Sequence, residues 1–555
     1  DWVVPYIGDL VGYRQVHEAG APGDPAGCTG AALNRALIPR RDVANTIDHR
    51  RRKGTLALLE DLAFDIAGWP ARAVEFYRLL VETQSLNATH LDRGRTVDLR
   101  DGDALELLNS PFDRLAHVVD VRSPSADEYG QGRYNLPSVG LFVWRMRTYS
   151  VSGTSAYCLE EAGPHNFTFS ILGNDSPLYS AAVPESGTGI AVEHNLPVPI
   201  RRRALETDLA SAEPRLYGPD ASIHIAVGKD HTPVTADRLV AADLTDWSYV
   251  ARAGTVAIDP ELGRLSFPPQ QAPKDGVWVH YHYGFSADIG GGEYRRTVSQ
   301  PAGATVYGVG ADEESPTVAA ALVLWREQQP PDAVIEIRDS DFYAGPIEVE
   351  LGVDQTLQIR AASESRPVIR LLDRQPGRPD SLLVRGQAGS RFTLDGLLIS
   401  GRPVRSEGAL ATLRIRHCTL VPGWDLHDDC APSRPAEPSI ELVDTSACLV
   451  VEHSIVGSIQ VTNDEVEADP TPVRICDSIV DATHEENEAI GGVGWPSAHV
   501  VATIRRSTVI GLVQVHAIEL AENSIFLGAM CVARSQIGCI RFCYVDHVLR
   551  APRRY

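Results

Sequence analysis

His427-Asp428-Asp429-Cys430 places four metal-ligating residue types in a row, and His280 and His282 stand two apart with Trp278 on one face of an aromatic stretch. A structural metal needs a second set of ligands at matching spacing, and none accompanies the first cluster. Two histidines on a half-buried aromatic strand read as structural side chains. Cys539 and Cys543, if one strand carries both, face the same way about 13 Å apart, outside disulfide reach. The nine cysteines (Cys28, Cys158, Cys418, Cys430, Cys448, Cys476, Cys531, Cys539, Cys543) contain no CxxC pair and are odd in number, so reduced thiols are expected rather than a disulfide framework. The glycine clusters match neither a phosphate loop nor a dinucleotide fingerprint. No metal or other cofactor is expected.

These candidates sit on a repeat that fills the last 250 or so residues. Phe392–Ile399, Leu413–Leu420, Leu449–Val456, Val473–Val480 and Ala502–Val509 each read as an apolar strand, a two-residue polar bend, a small inward residue and a second apolar strand. The position after the bend falls at 397, 418, 454, 478 and 507, with a looser copy at 524, so the intervals are 21, 36, 24, 29 and 17. A constant unit separated by variable loops predicts a right-handed parallel β-helix over 301–555. Cys418, aligned with Ser454, Ser478 and Ser507, reads as a small core residue. Thr317–Glu327 reads as a helix capping the open end, with Val334–Ile337 and Leu357–Arg360 as the first strands beneath it.

A β-helix could carry polysaccharide cleavage, which needs carboxylates or cation ligands converging from neighbouring coils. The outward strand positions Arg414, Arg416, Glu452, Arg474 and Arg505 make no acidic ladder, and the acidic runs 463–469 and 484–488 read as solvated loops. The chain as a whole is acidic: 51 Lys and Arg against 73 Asp and Glu, 51 − 73 = −22. That balance argues against general nucleic-acid or anionic-membrane binding. No apolar run is long enough to span a bilayer and no signal peptide opens the chain, so cytoplasmic assembly is expected. Because the chain opens at Asp1 and closes at Arg553-Arg554-Tyr555, further residues beyond both ends are expected.

At 555 residues about three domains are expected: a helical docking region over 1–95, a β-rich middle region over 96–300, and the β-helix. In the first, Val43, Ile47, Leu56, Leu59, Ala63 and Ile66 recur at helical spacing. Thr55 reads as an N-cap and Gly68-Trp69-Pro70 as a stop, with helix again through Ala73, Phe76, Tyr77 and Leu80. The basic turn Arg50-Arg51-Arg52-Lys53, with Arg40 and Arg41, stands out in so acidic a chain and reads either as a solvated face or as a clamp on an acidic partner. In the middle region Leu136–Met146, Thr255–Ile258, Leu265–Phe267 and Val277–Tyr283 read as strands, and Gly290-Gly291-Gly292 lies near its end.

DWVVPYIGDLVGYR and IPRRDVANTIDHRRRKGTLALLEDLAFDIAGWPARAVEF together resemble the phage tail protein I family and its relatives in bacterial contractile injection systems, especially actinobacterial phage-tail-like particles. RYNLPSVGLFVWRMRTYSV, DPELGRLSFP and VHYHYGFSADIGGGEY resemble further segments of the same baseplate protein. The resemblance implies a non-enzymatic baseplate wedge component that joins sheath and tube to the spike hub. Its expected partners are other wedge subunits, the spike or hub and sheath-proximal proteins in a six-fold particle, with no nucleic acid and no membrane insertion. Arg40, Arg41, Asn45, Arg50, Arg51, Arg52, Gly54 and Trp69 match the motif, and Lys53 completes the basic turn as a candidate interface. The alternatives are a β-helix protein that binds or degrades carbohydrate, of tailspike type, and a secreted adhesin.

Overall fold

The computed structural model describes residues 3–14, 40–83, 85–87, 90, 95–121, 132–183, 190–311, 313–371, 381–463, 469–492, 494 and 496–555. The loop at 19–27, Cys28 and most of the acidic run at 463–469 lie outside the described residues. The chain forms two compact units, one from Asp1–Thr148, Pro177–Ile223 and His282–Ser286, the other from Tyr149–Ser176, His224–Tyr281 and Ala287–Tyr555. Among the described residues no helix is long and apolar enough to cross a membrane.

In the first unit α1 (Val3–Val11) packs on α2 (Arg40–Arg51), which turns through Gly54 into α3 (Leu56–Ala67). The expected caps form: Thr55 Oγ1 accepts from the Leu58 N–H, and Gly68 closes α3 in the left-handed region at φ 71°, its N–H donating to Phe64 O. Beyond Pro70 the expected helix does not continue. Ala71–Glu75 (β1) is instead a strand antiparallel to Val139–Val143 (β2), and Phe76–Leu79 is one tight turn. The periodicity of Ala73, Phe76 and Leu80 arises because the strand buries Ala71 and Ala73 while the turn buries Phe76 and Leu79. Buried Glu60 of α3 ties this region together, accepting from the Ala73 and Ala191 N–H groups. Farther on, Arg201 sits just before α5 (Arg202–Leu209) and gathers Asp103 and Glu106 of α4 (Gly102–Glu106) at 2.8 Å each, and Glu193 at 3.1 Å.

The second unit contains the expected pair Val256–Asp259 and Arg264–Ser266, antiparallel around Gly263. A Cβ at Gly263 would meet Ser176 O at 2.1 Å, and its φ of 67° also selects glycine. Most of the unit is one 26-strand parallel sheet in which each strand pairs with the third one after it along most of its length. Three strands per turn, stacked in parallel, is an arrangement consistent with a β-helix. Thr305–Val309 pairs with Asp332–Ile337, adding a strand before the two expected first strands. Between them α6 (Val318–Gln328) is capped by Thr317 Oγ1 and turns Val318, Ala321, Leu322 and Trp325 onto the end of the core.

The repeat has a physical cause at its bends. His417, His453, Asp477, Arg506, Asn523 and Phe542 all adopt φ between 46° and 53°, and each is followed by a cysteine or serine. Those hydroxyls form an internal ladder: Ser454, Ser478, Ser507 and Ser524 accept in turn from the N–H of Cys418, Ser454, Ser478 and Ser507, at 3.1–3.2 Å. Each hydroxyl also donates to the carbonyl two residues before it, so both functions of a buried group are used. Ser478→Ala would strand the Ser454 N–H and is expected to cost about 1–3 kcal/mol in urea unfolding. Ser478→Cys, which copies position 418, should cost less; equal stability of all three proteins would mean that the ladder contributes nothing. The bend at Phe542 also corrects the expectation for Cys539 and Cys543. The strand ends at Arg541, and Cys543 is the next member of the small-residue column, its thiol directed to Arg541 O.

Facing away from the core, one column of coils carries Glu336, Arg360, Asp395, Arg416, Glu452, Cys476, Arg505, Glu522 and Arg541 in direct register. Opposite charges therefore stack on one another, which rewards this register and penalises a slip of one coil. Arg360 meets Glu336 at 2.5 Å and Arg541 meets Glu522 at 2.8 Å. Burial works against the Glu336 charge, but the Arg360 and Arg338 guanidiniums outweigh it and hold the carboxyl below its usual value of 4.5. A depressed folded-state pKa stabilises above the unfolded value and is lost as pH falls through the folded one. Below about pH 4.5 the wild-type chain should therefore lose unfolding free energy more steeply than Glu336→Gln, as followed by urea titrations at stepped pH.

The Gly290-Gly291-Gly292 segment begins a strap that crosses these coils. Gly290 N donates to His453 O, Gly291 N to Thr419 Oγ1, and Arg296 to Ala362 O. A Cβ on Gly291 would stand 2.6 Å from Leu397 O, so only glycine lets the strap lie this close. Tyr294 Oη lies 2.9 Å from His417 Nδ1, and burial, with His453 and two arginines nearby, pushes His417 down to about 3.

Candidate protein interface

Helices α2 and α3 meet through polar side chains rather than through the apolar periodicity. The buried face of α2 is Asp42, Val43, Thr46 and His49. His49 Nδ1 lies 3.3 Å from Asp42 Oδ1, and its Nε2 lies 3.1 Å from Asp65 Oδ2 of α3. Asn45 Nδ2 donates to the same Asp65 oxygen at 2.7 Å. Burial and neighbouring Asp42 push the Tyr13 phenol up to about 12. These directional contacts fix how the two helices lie, because a misaligned pair would leave buried polar groups unpaired.

The apolar stripe consequently points outward. Val43 is buried, but Ile47 is 52% exposed, Leu59 37% and Ile66 51%. On α1, Tyr6 and Leu10 are exposed as well. Arg41 is exposed and its guanidinium lies 4.7 Å from the centroid of the Phe64 ring, which is itself partly exposed.

The basic residues divide into two groups. Arg50 donates to Val11 O at 3.1 Å and also to Gly12 O, closing the carbonyl end of α1. Arg52 bridges Asp48 at 3.1 Å and Asp61 at 2.6 Å, joining α2 to α3. Both are therefore used inside the chain. Arg51 and Lys53 are exposed, and among the described residues neither side chain makes an ion pair or hydrogen bond. Arg40 is exposed at the start of α2, Gly54 makes the turn at φ 94°, and Trp69 is half-buried with Arg145 5.3 Å over its ring. What the sequence reading missed is that the polar residues Asp42, Thr46 and His49 share the helical face of Val43. Their own spacing of four and three carries that signal, and it identifies the polar face as the inner one.

The other candidates are positioned without converging. In Val277–Phe285 the residues Trp278, His280 and His282 are half-buried while Val277, Val279 and Tyr281 are buried. Trp278 stacks on His231, and His282 Nδ1 lies 3.0 Å from Ser222 O. In the His427–Cys430 turn, Cys430 Sγ donates to Asp175 O and Asp428 O accepts from Asp175 N, which makes the turn a tie to a neighbouring loop. Among the described residues no group of three or more His, Cys, Asp or Glu side chains is placed to hold a metal ion. On the coil faces Asp477 meets Arg506 at 2.7 Å, Glu407 meets Arg385 and Arg405 at 2.9 and 2.8 Å, and buried Asp395 has Arg296 and Arg416 at 3.8 and 3.7 Å. Compared with known proteins, the chain matches no family model, no curated protein and no solved structure.

Proposed function

We propose that the chain is a structural component of the baseplate wedge of a phage-tail-like contractile injection system, linking sheath and tube to the spike hub. The observation that carries this reading is the outward apolar stripe Ile47, Leu59 and Ile66 beside exposed Arg51 and Lys53, on a helix pair held rigid by its own polar contacts. Apolar anchors with a basic rim are what a protein partner with an acidic surface would need. The resemblance of residues 38–76 to the tail protein I family supports the same reading. In this proposal the C-terminal coils form a right-handed parallel β-helix that acts as a stiff projection, and the helical region docks onto neighbouring wedge subunits in a six-fold assembly. Many modest interfaces repeated around the particle would lock the extended sheath and pass on its rearrangement at firing. The test is electron microscopy of material that co-purifies with the tagged chain. Sheathed tubes carrying the tag at one end support the proposal, and tag that never accompanies a sheathed tube rejects it.

A further inference from the structure

A groove of about 570 Å³ crosses three successive coils of the parallel stack. Its floor is the outward side of Leu382–Gly386, Val404–Gly408 and Ile440–Thr445, whose alternation sends Leu382, Val384, Val404, Ser406, Ile440 and Leu442 inward. Register places Leu383, Arg405 and Glu441 in one row and Arg385 and Glu407 in the next. At the side stand Arg402 and the loop residues Trp424, Arg434 and Glu437.

The loop holds its shape through its own backbone. Trp424 sits at φ 71°, a left-handed conformation that a tryptophan rarely takes, so surrounding contacts must impose it. Its carbonyl accepts from Gly401 N at 2.6 Å, its indole N–H donates to Pro438 O at 3.1 Å, and Arg434 N donates to Gly423 O at 2.9 Å. The Arg402 and Arg434 guanidiniums lie 5.4 and 5.6 Å from the indole ring. On the floor, Glu407 already engages Arg385 and Arg405, at 2.9 and 2.8 Å.

We propose that this groove binds a segment of anionic polysaccharide, with Arg402 and Arg434 taking its carboxylate or sulfate groups, Trp424 packing against a sugar ring, and Glu437 and Glu441 accepting its hydroxyls. Guanidinium forks match oxyanions geometrically, and an aromatic body suits the apolar face of a pyranose. Four arginines against three glutamates make the groove locally cationic on a chain of net charge −22. An acidic peptide carries carboxylates without the hydroxyl rows, so Glu437 and Glu441 would find no hydroxyl donors on it. A sugar acid offers both groups side by side. The two floor carboxyls also differ in proton affinity: burial, with Glu437 beside it, raises Glu441, whereas Arg385 and Arg405 lower Glu407 against the effect of its burial.

The test is affinity electrophoresis and calorimetry of the full chain at low salt with polygalacturonate, dextran sulfate, neutral dextran and poly-L-glutamate. Binding of polygalacturonate or dextran sulfate is expected, and which of them binds identifies the anionic group. Neutral dextran and polyglutamate should not bind. Arg434→Glu, at an exposed position, and Trp424→Ala should each weaken the affinity at least tenfold, while Arg391→Glu, exposed and outside the groove, should leave it unchanged. Far-UV circular dichroism matching wild type for Arg434→Glu separates lost binding from lost folding. The proposal is overturned if neither anionic polymer binds, if Arg434→Glu binds as wild type does, or if polyglutamate binds equally well. It is independent of the wedge assignment, since it concerns a soluble polymer and the isolated chain.

Discussion

Arg51→Glu with Lys53→Glu is expected to leave the chain folded and to remove it from sheathed particles. Arg50→Glu with Arg52→Glu is expected to damage the helical region itself. The four residues are consecutive and alike in charge, yet their side chains do different work. Arg50 closes the end of α1 and Arg52 bridges Asp48 and Asp61, so reversing them places carboxylates against backbone carbonyls and against two existing carboxylates. Arg51 and Lys53 point into solvent. Reversing that pair costs the fold about 0.3–1 kcal/mol per charge, through the lost complement to the carbonyl end of α2. At an interface the larger loss comes from the apolar anchors: Ile47→Asp with Ile66→Asp should cost at least about 2 kcal/mol of association, a thirtyfold weakening or more. Limited proteolysis reports on the fold, and co-sedimentation with sheathed tubes reports on docking. Particles that retain both solvent-facing double variants at wild-type levels would remove the helical region from the wedge interface.

Trp325→Ala should be the most damaging single change in the C-terminal unit. The indole is 2% exposed at the junction of α6 with the first coils, and a large-to-small change there costs about 3–5 kcal/mol. Loosening the cap also uncovers a parallel sheet end, which invites other chains to add strands. The expected result is a lower urea midpoint by circular dichroism, with light scattering rising at temperatures where wild type stays clear. Trp325→Phe should cost less than its volume change suggests, because among the described residues the buried indole N–H has no acceptor. Val323 projects from the same helix and is 51% exposed, so Val323→Ala should stay within about 0.5 kcal/mol of wild type. A Trp325→Ala protein as stable as Val323→Ala would show that α6 does not close the core.

The coils were legible in the sequence because each residue there answers to a local rule. Alternation sets the strands, and the small residue after the bend is required because only a short side chain can turn inward and meet the next coil's backbone. The alignment of Cys418 with the serines of that column marks a small core residue, and Cys418 is buried there. Caps were legible for the same reason: Thr55, Gly68 and Thr317 act on backbone groups within four residues. The stretch after Pro70 was not legible, because four apolar residues cannot distinguish a strand followed by a turn from a helix, and what decides is the distant partner Val139–Val143. The inner face of α2 is not legible from apolar periodicity, because His49, Asp42 and Asp65 make the contact. The groove at Trp424 joins residues from four separate stretches, and only the coil register brings them together.

The hydroxyl ladder has a direction. The N–H of Cys418 waits for Ser454, that of Ser454 for Ser478, and that of Ser478 for Ser507, always a residue farther along the chain. During synthesis each corner therefore stays open until the following coil has left the ribosome, and the finished part of the stack trails the growing end by one turn. Sequence gaps of 36, 24 and 29 residues between those partners set the length of that lag. At about 5–20 residues per second the nascent chain carries an uncompleted edge for roughly one to several seconds at a time. The acidic residues and arginines that alternate along most of the outer column mark that edge, and they favour the chain's own next coil over any neighbouring copy offered out of step.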